Sequence, residues 1–488
     1  MCHQLQPFLP YLRHHFPTSP TIQVLLTMAS CLILLWLLAL PLHLACGEAK
    51  ASEVHTFWVR DLLPNSICSA SPKGYSSSRL QVVHGHGPCS PLTDDQKLSH
   101  REVLDGDRER VLSIQRQMSA ATAPVDVEKL GRGSPPVNIP ARTGSSLGTG
   151  NYVVTVGFGT PGRKFSVIFD TGSDLSWIQC APCNDCYAQE EPVFDPEASS
   201  TYAAFLCNST DCGRLYSNSC STDNRCRYSV QYGDQSETEG TFGRDVLTLS
   251  PSSALPGFLF GCGEANRGLF GRAAGLLGLG RGSVSLALQA ARKYGAVFSY
   301  CLPSRSSETG YLTIGRGISS NVSYTRMRSV PGLLSFYFAD LVAIKVGGKQ
   351  LSIQKAVFRK AGTLIDSGTV ITRLPPAAYA ALRTAFRGQM GQYEAAPALS
   401  ILDTCYNFTG YERVSVPTVA LVFASRTEVQ MAFSGILYVA SAAQACLAFA
   451  GNEMAEDVAI VGNMQQKTYT VVYDVAGKKI GFGAQACG

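Results

Sequence analysis

Two short stretches decide the fold: Phe169-Asp170-Thr171-Gly172-Ser173 and Ile365-Asp366-Ser367-Gly368-Thr369. Each closes a hydrophobic, strand-like run with an Asp, a hydroxyl residue, a Gly and a second hydroxyl residue. Gly permits a tight turn and close approach of a facing loop. The hydroxyl after each Gly, Ser173 or Thr369, is placed to hydrogen-bond its Asp and orient the carboxylate. One such tetrapeptide occurs readily by chance. Two, each behind a hydrophobic strand and 196 residues apart, predict one loop per lobe of a two-lobed domain. If the loops face each other, the carboxylates cannot both ionise easily and titrate as a pair. The ionised member then takes a proton from water while the protonated member polarises a peptide carbonyl.

The surrounding sequence supports that reading. Gly275-Leu276-Leu277-Gly278-Leu279-Gly280 follows the first motif, and Ala459-Ile460-Val461-Gly462-Asn463 follows the second. Each is a hydrophobic run ending in Gly that suits a strand threaded beneath an Asp loop. Between the motifs, Tyr232-Gly233 forms a turn that reads as a flap over the cleft. Its tyrosine hydroxyl is expected to reach the indole N–H of Trp177. Glu237 and Glu239 make the base of this turn acidic, which predicts a preference for basic or polar substrate residues.

Composition excludes the main rivals. The chain has 488 residues, 45% hydrophobic and 16% charged, too apolar for intrinsic disorder. Its 8 histidines all lie at or before His100, so beyond that point no Ser-His or Cys-His triad and no His-ligated zinc is available. No metal and no cofactor is called for. The formal charge of +5 is small for this length. Ten Lys/Arg against Asp340 and Asp366 between Arg326 and Arg387 make a local basic excess, which reads as a solvated surface rather than a nucleic-acid site.

Val24 to Leu42 is uncharged and apolar, and Ala45-Cys46-Gly47 supplies small residues for cleavage, so residues 1–47 read as a secretory signal with a possible upstream extension. No stable membrane span is expected. Residues 48–150 read as a prosegment and linker: a charge-rich part with helix-forming composition from Asp94 to Arg116, then a Pro/Gly/Ser/Ala-rich stretch from Met118 to Gly150. Short β-branched and aromatic runs dominate from Asn151, giving an N-terminal lobe at 151–330 with the flap and a Cys-rich insertion, and a C-terminal lobe at 331–488. The 12 cysteines of that region are even in number, consistent with six disulfides of open connectivity; Cys180-x2-Cys183-x2-Cys186 is also compatible with a metal knuckle. Asn208, Asn321 and Asn407 head glycosylation sequons.

With both Asp motifs, the flap tyrosine and the Cys-rich stretch from Cys180 to Cys226 in view, the chain resembles a pepsin-type aspartic protease. Over about residues 150–488 it resembles the plant nepenthesin-like branch. Asp366 to Pro376, together with Val82 to Cys89, is similar to the subgroup named for a chloroplast nucleoid DNA-binding protease. The resemblance implies an all-β bilobal fold with a cleft between lobes, Asp170 and Asp366 as the catalytic pair, and a Cys405–Cys446 disulfide. It implies a monomeric endopeptidase made as a zymogen, favouring acidic pH, acting on protein or peptide substrates and contacting its own prosegment. Secretion to the extracellular space is expected, with vacuole or plastid as alternatives. The competing function is binding without proteolysis, as in xylanase-inhibitor-like proteins of this fold or in nucleic-acid association. Gln235, where relatives usually carry Gly, is a departure in the flap turn.

Overall fold

A computed structural model describes residues 52–62, 67–69, 79–84, 87–92, 99–122, 152–484 and 487, with short gaps at 233–235, 269, 306, 316–320, 331–332 and 360–361; the side chains of 117–122 are also left aside. The signal, the stretch 123–150, and Gly233 and Gln235 of the flap turn lie outside the described residues. Among the described residues no helix is long and apolar enough to cross a membrane.

The elements that position the site are few. They are β1 (Arg79–His84), α1 (His100–Thr122), β2 (Tyr152–Phe158), β3 (Arg163–Asp170), β4 (Trp177–Gln179), β5 (Cys226–Gln231), β6 (Glu237–Ser250), β7 (Ser253–Arg267), β8 (Gly275–Gly278), β9 (Thr309–Ile314), β10 (Thr363–Ile365), β11 (Thr372–Leu374), α2 (Pro376–Arg387), β12 (Phe449–Gly451) and β13 (Ala459–Val461). Strands prevail because β-branched and aromatic residues alternate between turn residues, as in Tyr152-Val153-Val154-Thr155-Val156.

The two halves repeat one topology. In the first, β3 runs parallel to β8, β8 antiparallel to β4, and β4 parallel to β7. In the second, β10 runs parallel to β13, β13 antiparallel to β11, and β11 parallel to β12. Parallel strands buried on both faces need continuous apolar runs, and Gly275–Gly278 and Ala459–Val461 are fully buried. The architecture is the expected all-β bilobal fold.

Upstream residues are built into this frame. β1 pairs with β9 on one side and β2 on the other, inside a 15-stranded sheet. Val54–Trp58 adds antiparallel to Arg413–Pro417. Helical structure begins at His100 and continues to Thr122, further than the composition of Met118 onward suggested. Its start is a capping box: the Ser99 amide donates to Glu102 Oε2 (2.7 Å) and the Glu102 amide donates to Ser99 Oγ (3.2 Å).

All 12 cysteines beyond residue 151 are paired, as 180–262, 183–186, 207–220, 212–226, 301–487 and 405–446. Cys180-x2-Cys183-x2-Cys186 is therefore disulfide framework rather than a metal knuckle. Cys68 and Cys89 are also bridged.

Candidate active site

The Asp170 loop leaves β3, and the Asp366 loop leaves β10. Each is anchored from beneath by its companion strand. Leu279 N–H donates to the Asp170 carbonyl (2.8 Å), and Asp366 N–H donates to the Val461 carbonyl (3.1 Å). Asn463 Nδ2 donates to the Ser367 carbonyl (3.0 Å), and Gln466 Nε2 to the Asp366 carbonyl (3.0 Å).

The carboxylates are oriented by their own turns. Asp170 Oδ1 accepts from Gly172 N–H at 2.9 Å. Asp366 accepts from Gly368 N–H (3.2 Å), Thr369 N–H (3.0 Å) and Thr369 Oγ1 (2.6 Å). The two hydroxyls after Gly thus differ. Thr369 grips its Asp, whereas Ser173 Oγ has no hydrogen-bond partner of good geometry and is the last of the influences acting on Asp170. The hydroxyls directly after each Asp reach across instead: Ser367 N–H donates to Thr171 Oγ1 (2.9 Å), and Thr171 N–H donates to Ser367 Oγ (3.2 Å). The glycines are needed for closeness. A Cβ on Gly368 would meet the Arg110 guanidinium and lie 2.6 Å from Asp170 Oδ1.

The flap tyrosine is placed as the sequence suggested, with Trp177 Nε1 donating to Tyr232 Oη at 2.6 Å. Beside it, a pocket of ≈ 460 Å³ opens between Ser173–Leu175, Tyr228, Tyr232 and Val284. At the acidic flap base, Glu237 pairs at 2.9 Å with Arg267, a cation it shares with Asp185, and Glu239 accepts from Ser229 Oγ at 2.9 Å. Asn208 and Asn321 are exposed and Asn407 is half-buried.

Sequence reasoning missed Arg110. This residue of α1 is completely buried, with Nη2 2.9 Å from Asp170 Oδ1 and 2.8 Å from Asp366 Oδ2. Its Nε also donates to Asp366 Oδ2 at 3.1 Å. One guanidinium therefore bridges the two carboxylates of the dyad. A turn earlier, Asp107 pairs with Arg373 at 2.9 Å. Gln115 fixes the helix further along, exchanging hydrogen bonds with the Val458 amide (2.7 Å) and carbonyl (2.9 Å). Burial pushes the Asp170 carboxyl up, Arg110 pulls it down, and Asp366 pushes it up again. The signal for Arg110 was present: Val103, Leu104, Asp107, Arg110, Val111 and Ile114 recur at helical spacing on one buried face. Charges inside an apolar stripe call for buried partners.

Two oriented carboxylates bridged by one cation, in paired loops at the junction of two β lobes, define an aspartic endopeptidase. Comparison with known proteins agrees. Family models described as "Xylanase inhibitor N-terminal" and "Xylanase inhibitor C-terminal" match residues 152–316 and 336–484. An aspartyl protease family protein of Arabidopsis thaliana is 46% identical over 466 residues, covering 92% of this chain and 97% of that one. Aspartic proteinase nepenthesin-1 of Nepenthes gracilis is 34% identical over 353 residues, covering 70% and 79%. Among solved structures, basic 7S globulin from soybean shares the fold, with a TM-score of 0.57 at 22% identity, covering 70% of this chain and 92% of that one. The chain belongs to the pepsin-like family of plant aspartic proteases.

Proposed function

We propose that the chain is the inactive precursor of this endopeptidase, with Asp170 and Asp366 as its catalytic pair and α1 as the element that blocks them. The observation that carries the reading is the Arg110 guanidinium bound to both carboxylates. A single small cation can touch both only if they are close enough to share one proton once it leaves. Acidification and cleavage within 123–150 would free the cleft. The precursor is exported, and its sequons are glycosylated on the way; the paired cysteines favour an oxidising compartment.

In the freed site, the ionised carboxylate takes a proton from water as the water oxygen attacks the peptide carbonyl carbon. The protonated carboxyl gives its proton to the carbonyl oxygen. The tetrahedral species then collapses, the C–N bond breaks, and the amine nitrogen leaves with a proton from the dyad. No imidazole is needed, and at acidic pH one would be protonated and useless as a base.

Binding without proteolysis is the second reading, and the description of the matching family models names inhibitors. The complete dyad and its hydrogen-bonded support argue against it. Nucleic-acid association has less support, because part of the basic run is paired: Arg328 with Asp340 (3.0 Å), Lys345 with Glu428 (2.6 Å), Arg383 with Asp403 (2.5 Å), and Arg373 buried against Asp107. The test is hydrolysis of a denatured protein by acid-treated precursor, with and without pepstatin, against Asp170→Asn. Loss of cleavage in the variant and with inhibitor supports the reading; undiminished cleavage in the variant overturns it.

A further inference from the structure

Asp107 lies one helical turn before Arg110 and is as deeply buried. Its Oδ1 accepts from the Val370 amide at 2.6 Å, and its Oδ2 accepts from the Ile371 amide at 3.2 Å. Oδ2 also lies 2.9 Å from Arg373 Nη2. Two amide donors and one guanidinium converge on one carboxylate. All three belong to the catalytic lobe, in the residues that directly follow the Asp366 loop.

This cluster outlasts the helix. Arg373 is held by its own segment, with Nη1 donating to the Ile371 carbonyl at 2.8 Å. The charged groups acting on it are Asp107, and Arg108 in the opposite sense, both on α1. Asp107 in turn faces Arg110 and lies near Tyr438. When α1 withdraws, Arg373 and two backbone amides remain, preorganised around the place of a carboxylate, with no acidic side chain among the described residues of the lobe paired to the guanidinium. A buried cation and unpaired amides are costly, and an anionic side chain entering the cleft relieves that cost.

We propose that Val370, Ile371 and Arg373 form a substrate subsite for a side-chain carboxylate, and that Asp107 occupies it in the precursor as a mimic of a substrate Asp or Glu. This rests on the proteolytic reading above. Three helical residues rise about 4.5 Å, and an extended peptide advances about 3.3 Å per residue. The acidic residue therefore falls one to three positions from the scissile bond. The subsite converts a lock of the precursor into a specificity determinant of the active enzyme.

The test uses the full chain, activated by acid or opened at a protease site placed in 123–150. Peptides carry Glu, Gln or Ala in turn at each of four positions before and three after the scissile bond. At one position the kcat/KM ratio of Glu to Gln is expected to be about tenfold at pH 5, expressed mainly in KM. The ratio falls toward one below about pH 3.5, as the substrate carboxyl takes a proton. Arg373→Gln brings the pH 5 ratio to one, and Arg373→Lys keeps part of it. If the buried substitution prevents folding, the position scan and the pH dependence in the unaltered enzyme decide alone. A ratio near one at every position, in an enzyme that cleaves the neutral peptides, overturns the subsite and leaves the protease reading standing. A Glu preference unchanged in Arg373→Gln also overturns it. Failure to cleave any peptide or protein removes the proteolytic reading, and the subsite with it.

Discussion

Thr171 and Ser367 hold each other's loops. Ser367 N–H donates to the Thr171 hydroxyl at 2.9 Å, and Thr171 N–H donates to the Ser367 hydroxyl at 3.2 Å. The residues are buried and come from opposite halves of the chain. This exchange sets the separation of the carboxylates beside them, because each Asp immediately precedes one of the pair. The relation was half visible in the sequence. The motif drew attention to the hydroxyl after each Gly as the support of its own Asp, while the hydroxyl before Gly couples the lobes.

Thr171→Val removes the hydroxyl while keeping the shape. Ser367 N–H is then buried without its acceptor, costing about 1–3 kcal/mol. Thermal unfolding should register that loss, and kcat/KM of the activated enzyme should fall at least tenfold as the dyad loosens. Thr171→Ser restores the hydroxyl and should recover most of both. Equal damage in the two variants would show that the methyl, not the hydroxyl, matters.

Tyr232→Phe addresses the flap. The Trp177 indole N–H, fully buried, would lose an acceptor at 2.6 Å. We expect a stability loss of about 1–3 kcal/mol and a fall of about tenfold in kcat/KM, because flap closure excludes water and positions substrate. Steady-state kinetics on one peptide and a melting curve measure both. An unchanged kcat/KM would separate Tyr232 from closure.

What could be read from sequence was what lies close in the chain. Asp170, Asp366 and their hydroxyls sit in tetrapeptides whose local geometry is set by a strand end and a Gly. The companion strands are recognisable because apolar runs ending in Gly have few other uses. Arg110 and Asp107 were not recognised, since their partners lie 60 residues away or more in sequence. Nothing adjacent to Arg110 announces a carboxylate pair. The same holds at the flap base, where Arg267, the partner of Glu237, is 30 residues further on.

The Cys301–Cys487 bridge joins residues 186 apart and ties the C-terminus to an interior strand. Cys301 is fully buried. Replacing both by Ser should cost about 2–5 kcal/mol, from released chain entropy and two hydroxyls in apolar surroundings. Denaturant unfolding of the double variant measures it. Replacing both by Ala separates the terms, since a cost that vanishes with Ala comes from the hydroxyls and not from the lost crosslink.

The pH dependence of precursor opening follows from which groups gain or lose protons when α1 leaves. Withdrawal removes two opposed influences on Asp170, the burial that raises its carboxyl and Arg110, which lowers it, and leaves Asp366, which raises it. Where loss of the guanidinium, bonded to both carboxylates, outweighs loss of burial, the freed dyad binds more protons than the blocked one and falling pH favours release. Glu102 works in the same direction. Ser99 holds its carboxyl below the ordinary value, so its support of the helix start is present at neutral pH and is lost as pH falls through that lowered value. Asp107 opposes them: burial pushes its carboxyl up while docked, so its protonation favours the docked state. Arg110→Gln separates these effects. Without the guanidinium the docked dyad already holds its proton, so processing should depend less steeply on pH. It should also begin nearer neutrality, because docking weakens by about 3–5 kcal/mol when a buried charge pair is broken. Asp107→Asn also weakens docking by leaving Arg373 unpaired, but removes the opposing titration and should steepen the profile. Conversion rates of the three precursors, followed by gel between pH 3 and 7, check the order. Identical slopes in the wild type and Arg110→Gln would show that the dyad is not the proton acceptor on release.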